Sequence, residues 1–169
     1  MVAVLAGCTG GDAEDPAASA SSSPASGVGV VSVGDGDAIV ELTARGANGY
    51  DGSVQIEVQS LTVEGRTMEL RVALTPLGGD EEEDDGTISA FSVFDGMPVL
   101  SDVERLTQYH VVGGANERMR SDMTGVKTLV GEPMLFQAWF PAPHEDVEVL
   151  DLVLDPAWPS FTDVPVTRS

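Results

Sequence analysis

The 169-residue chain is short of everything that would crosslink it or make it basic: one cysteine, two histidines, and eight lysines and arginines against 28 carboxylates, for a formal net charge of −20. With a single cysteine no intrachain disulfide can form, so packing alone must hold the fold. The charge balance removes the attraction on which nonspecific nucleic-acid binding depends and repels anionic lipid headgroups. Nucleic acid is therefore not an expected partner. No run approaches the roughly 18 apolar residues of a membrane-spanning helix. Catalytic signatures are equally scarce. There is no G-x-S-x-G to expose a nucleophile, and Gly10-Gly11, Gly78-Gly79 and Gly113-Gly114 lack the strand, glycine spacing and helix of a nucleotide loop. No catalytic residue is assigned and no enzyme is expected, with an accessory subunit of one as the remote alternative.

What the chain does have is two-residue alternation. Met68, Leu70, Val72 and Leu74 face one way and Thr67, Glu69, Arg71, Ala73 and Thr75 the other; upstream, Val54, Ile56 and Val58 alternate with polar residues, and the pattern resumes after a phase shift at Leu61 and Val63. Glu64-Gly65-Arg66 links the two runs, so an antiparallel hairpin organises the domain. Further strands are expected at 28–33, 39–43, 87–94, 126–130, 134–140, 147–154 and 161–166, with extended pieces near 97–112 and one helical turn at most within 117–124. Apolar residues on both faces of 134–140 suggest a central strand, and Pro165 marks the last strand as an edge. Residues 27–53, rich in glycine, are expected to attach loosely. Phe91, Phe136, Trp139, Phe140 and Phe161 are the bulky core candidates. About seven short strands with Gly/Pro turns indicate an all-β Greek-key sandwich.

The N-terminal region differs in kind. Leu5-Ala6-Gly7-Cys8 resembles a bacterial lipobox, in which cleavage before cysteine leaves Cys8 to carry lipid and to bind the bilayer. Residues 1–8 are then a signal remnant. Residues 9–27 hold small polar residues and proline with no large apolar group, too little to repay the entropy of ordering, and form a tether. Residues 28–169 form the domain, with 53–166 as its core span.

Three candidate sites follow. The six adjacent carboxylates Asp80, Glu81, Glu82, Glu83, Asp84 and Asp85 form a solvated loop or a calcium site, although they lack the spaced order that wraps one ion. His110 with Met119 and Met123 offers soft ligands for copper(I), against the usual role of methionine as a packing group. Trp158, among Pro156, Pro159 and Phe161, either caps the end of the core or, if exposed, anchors a partner.

The segments Leu61-Thr62-Val63 through Met68-Glu69-Leu70-Arg71-Val72, Phe136-Gln137-Ala138-Trp139-Phe140-Pro141-Ala142-Pro143, Asp146-Val147-Glu148-Val149-Leu150 and Phe161-Thr162-Asp163-Val164-Pro165-Val166 resemble a family of actinobacterial secreted or lipid-anchored domains. The resemblance spans 54–166 and implies an immunoglobulin-like fold, often next to an OmpA-like peptidoglycan-binding domain. No such segment lies within these 169 residues, so wall binding is not carried over. Relatives also place a cysteine pair in the middle loop, and residues 109–123 contain none. The expected function is a structural or protein-interaction module on the outer face of the cell membrane, meeting an envelope protein or glycan. The alternative is a calcium- or copper-binding extracytoplasmic module.

Overall fold

The computed structural model describes residues 37–79, 86–114 and 117–169. The lipobox and Cys8, the tether, the strand expected at 28–33 and the acidic run at 80–85 lie outside the described residues. Along the chain come β1 (Val40–Arg45), β2 (Ser53–Glu64), β3 (Thr67–Leu77), β4 (Thr87–Ser89), the single helical turn α1 (Ala90–Val93), β5 (Val99–Asp102), β6 (Thr107–His110), β7 (Lys127–Leu129), β8 (Met134–Pro141), β9 (Val149–Val153), β10 (Phe161–Pro165) and β11 (Thr167–Arg168). The protein is all-β. One sheet runs β1-β2-β3-β8 with β11 added parallel to β2; a second runs β10-β9-β5-β6; β4 and β7 form a small third. Among the described residues there are eleven strands where about seven were expected; the extended pieces near 97–112 form two paired strands, and residues 167–168 add a short one.

The hairpin forms where the alternation places it. β2 and β3 pair antiparallel from Ser53↔Leu77 to Glu64↔Thr67, and Gly65 in the turn has φ of 60°, a conformation glycine adopts without steric cost. The phase shift is a β-bulge. Val58 faces Val72 and Ser60 faces Arg71, leaving Gln59 as the extra residue, so that Leu61 and Val63 return to the buried side.

Several expectations are corrected. Residues 40–53 are not loosely attached: β1 pairs with β2 from Val40↔Val58 to Arg45↔Ser53, and Tyr50 is buried with its hydroxyl donating to the Gly78 carbonyl. A Cβ at Gly52 would lie 1.6 Å from that carbonyl oxygen, so glycine serves close packing here rather than mobility. The strand expected at 87–94 stops at Ser89. Ala90, Val93 and Phe94 are buried at helical spacing, and the Phe94 amide donates to the Ala90 carbonyl at 3.0 Å. Phe91 consequently points outward, 45% exposed, and Phe94 takes its expected place in the core. Residues 117–124, expected as loop with one helical turn at most, are irregular as expected and run along β8. β8 is not central; it ends the strand order, and that irregular segment covers its outer edge. The Val112 and Ser121 amides donate to the Trp139 and Gln137 carbonyls at 2.8 Å each, and the Trp139 amide donates to the Met119 carbonyl at 2.9 Å. Covering an edge in this way removes a template for pairing with another chain. β10 lies at an edge, as Pro165 implies.

One apolar cluster draws on the inward residues of both large sheets, Ile56, Leu70 and Phe136 from the first and Leu100, Leu152 and Val164 from the second. Phe94 joins it through an edge-to-face contact with Phe136 at 4.9 Å between centroids. Trp139 is only partly buried. Phe136→Ala should cost about 3 to 5 kcal/mol in chemical denaturation; a loss below about 1 kcal/mol would contradict this account of the core.

Candidate functional site

A groove of about 510 Å³ lies beside the turn that joins β5 to β6. Its construction starts at Asp102, the last residue of β5, which is only 5% exposed. A buried carboxylate must be paired. Asp102 Oδ1 accepts from the Arg105 amide at 2.9 Å and Oδ2 accepts from Arg105 Nη1 at 3.2 Å, which curls residues 103–106 into a fixed turn before β6 begins at Thr107. Arg105 Nη2 then reaches 2.6 Å to Asp146 Oδ2, while Asp146 Oδ1 lies 2.5 Å from His144 Nδ1. The loop carrying Asp146 is itself held from behind. The Arg168 guanidinium donates to the carbonyls of His144 (2.8 Å), Glu145 (3.2 Å) and Val147 (2.9 Å), so β11 anchors the groove's second wall.

Electrostatically the groove is acidic. Asp102, Glu104, Asp146, Glu148, Asp151 and Asp163 line it against one guanidinium, Arg105. The hydrogen bond from His144 foremost holds the Asp146 carboxyl below the usual carboxylate range; desolvation opposes it, and the charge of Arg105 adds to the lowering. The hydrogen bond to Asp102 foremost raises the Arg105 guanidinium further above its already high value. These pairings keep Arg105 ionised and fix it between two carboxylates, so its donors hold the turn together.

The turn presents apolar side chains. Leu106 is 89% exposed and Val103 62%, and Leu106 has φ of 51°, in the left-handed region that favours glycine and asparagine. Neither solvent nor backbone geometry favours leucine at this position.

Of the residues singled out in the sequence, Trp158 is 6% exposed, stacks on Phe94 at 5.1 Å and donates from Nε1 to the Arg45 carbonyl at 2.6 Å. It covers the core, and the exposure that partner anchoring requires is not met. Met123 is buried in the apolar cluster whereas His110 and Met119 are exposed, so the three do not offer their donors from one surface. The described residues contain no group of three or more histidine, cysteine or acidic side chains placed to hold a metal. The groove's own residues were missed in the sequence. Asp102 and Arg105 stand three apart, a spacing that suits a turn, but the contact from Arg105 to Asp146 spans 41 residues and leaves no local signal. The chain matches no family model, no curated protein and no solved structure.

Two outcomes are expected. Leu106→Asn should raise stability by about 0.5 to 1 kcal/mol in denaturant titration by relieving the left-handed backbone; destabilisation would mean that Leu106 packs in solution. Because Asp146 binds its proton less readily in the folded chain than in the unfolded one, its contribution is present above the unfolded value near about 3.9 and fades as pH falls through the folded value. Asp146→Asn should therefore melt below the parent at about pH 6, with the gap closing as pH falls below the usual carboxylate range. A gap independent of pH would remove Asp146 from the account.

Proposed function

We propose that the chain is a lipid-anchored, extracytoplasmic interaction module without catalytic activity, an immunoglobulin-like Greek-key sandwich that presents the β5–β6 turn to a protein or glycan of the cell envelope. Cys8 carries the lipid and residues 9–27 set the reach. The sandwich is supported by the shared apolar cluster and by a chain that passes from β3 in the first sheet to β5 and β6 in the second, back to β8, and again to β9 and β10. The reading of function rests on one observation: a turn tied by Asp102, Arg105 and Asp146 that holds Leu106 and Val103 out in water. A projection already held in place loses little conformational freedom on binding, and its apolar surface is removed from water when a partner covers it.

Anchoring and exposure are tested on cells producing the chain from its natural locus. The protein should partition with membranes, carry the added mass of lipid on Cys8, and be cleaved from intact cells by an external protease. Cys8→Ala should release it from the membrane fraction. An unmodified Cys8, or a domain that resists protease until the cells are broken, would overturn the proposal.

A further inference from the structure

We propose that the β5–β6 turn and the groove beside it dock a cationic protein segment, one carrying apolar side chains among lysines and arginines. This rests on the interaction-module reading and adds the chemistry of the partner. Leu106 and Val103 project from the turn, and Val149, 45% exposed, lies on the groove wall. Single exposed apolar residues are ordinary on protein surfaces. Here they sit on a four-residue turn whose geometry is set by a buried carboxylate, and one of them occupies a backbone conformation that leucine rarely takes. The base is therefore pre-ordered and the apolar tips are offered to something outside the molecule.

The surrounding charge selects what that is. Six carboxylates line the groove, and its guanidinium is already engaged by Asp102 and Asp146, so the field at the apolar tips is negative within a chain of net charge −20. Such a rim steers cationic partners towards the tips and disfavours acidic ones. A lipid surface is the competing occupant, because a projecting leucine also suits insertion between headgroups. Anionic headgroups are repelled by this rim, and inserting the tip would desolvate the carboxylates beside it. The observations favour a basic protein segment over a bilayer.

The test uses the full 169-residue chain and three probes: a fluorescent peptide of lysine and leucine, a lysine-only peptide of equal charge, and phosphatidylglycerol vesicles. The lysine–leucine peptide should bind in an anisotropy titration, weaken with added salt, and shift the amide resonances of Val103, Leu106 and Val149. Leu106→Asn and Val103→Ser should each weaken it about tenfold, whereas Leu129→Ser, at an exposed apolar site on β7, should leave it unchanged. Leu106→Asn is expected to raise stability, so a melting curve run alongside the titration separates loss of binding from unfolding. Equal binding of the lysine-only peptide, no effect of either turn substitution, preference for the vesicles, or no binding of the lysine–leucine peptide would each overturn the proposal. Absence of peptide binding by a chain whose Cys8 is lipidated rejects the partner chemistry alone; peptide binding by a chain whose Cys8 is unmodified rejects the anchoring alone.

Discussion

The pairing of β2 with β3 is the constraint on which the other elements depend. It lines up Ile56 with Leu74, Val58 with Val72 and Leu61 with Leu70, and all of these side chains are buried. An isolated hairpin is marginal in water because its apolar face stays wet. Buried residues of the second sheet join the same apolar cluster, and the crossing from β3 through α1 to β5 adds Phe94 to it. Phe94 meets Phe136 on one side and Trp158 on the other, and Trp158 hydrogen-bonds to the end of β1. Aromatics are few, yet three of them form one link from β8 to the connection between β9 and β10 and so to the first strand.

The acidic surface is organised around that core in a similar economy of charge. Eight cationic residues serve a chain with 28 carboxylates, so where each one sits matters. Arg120 binds Asp95 and holds the irregular segment along β8; Arg168 binds three carbonyls and fixes the loop of Asp146; Arg105 joins that loop to the β5–β6 turn. These contacts hold connections in place, which strands alone do not do. The result is a turn tied to the neighbouring loop, with apolar tips inside a negative field.

Much of the fold could be read from periodicity, and the failures have identifiable causes. The phase shift after Val58 is a bulge in the structure, and of the two apolar faces of 134–140 it is Met134, Phe136, Ala138 and Phe140 that are buried, a choice the alternation alone left open. Phe91 was misplaced because an apolar run fits a strand and a helical turn equally well; the i, i+3, i+4 spacing of Ala90, Val93 and Phe94 held the answer. β8 looked central because Leu135 and Trp139 are apolar too, and what half-covers that strand is an irregular segment without alternation of its own. The glycines around Tyr50 suggested looseness, although glycine marks close approach as readily as freedom. The groove was the least legible feature: Arg105, Asp146 and Arg168 meet only through tertiary structure, and in the sequence they are three charges among many.

The central claim is that a hairpin-based core holds the β5–β6 turn rigid so that its apolar tips act outward. Native-state amide hydrogen exchange, residue by residue, tests it most directly. The amides of Ile56, Leu70 and Phe136 should open only with global unfolding, and the Arg105 amide, bonded to buried Asp102, should be protected well above those of Val103 and Glu104 in the same turn. Exchange at Ile56 and Leu70 as fast as in the turn, or an Arg105 amide as unprotected as its neighbours, would contradict the account.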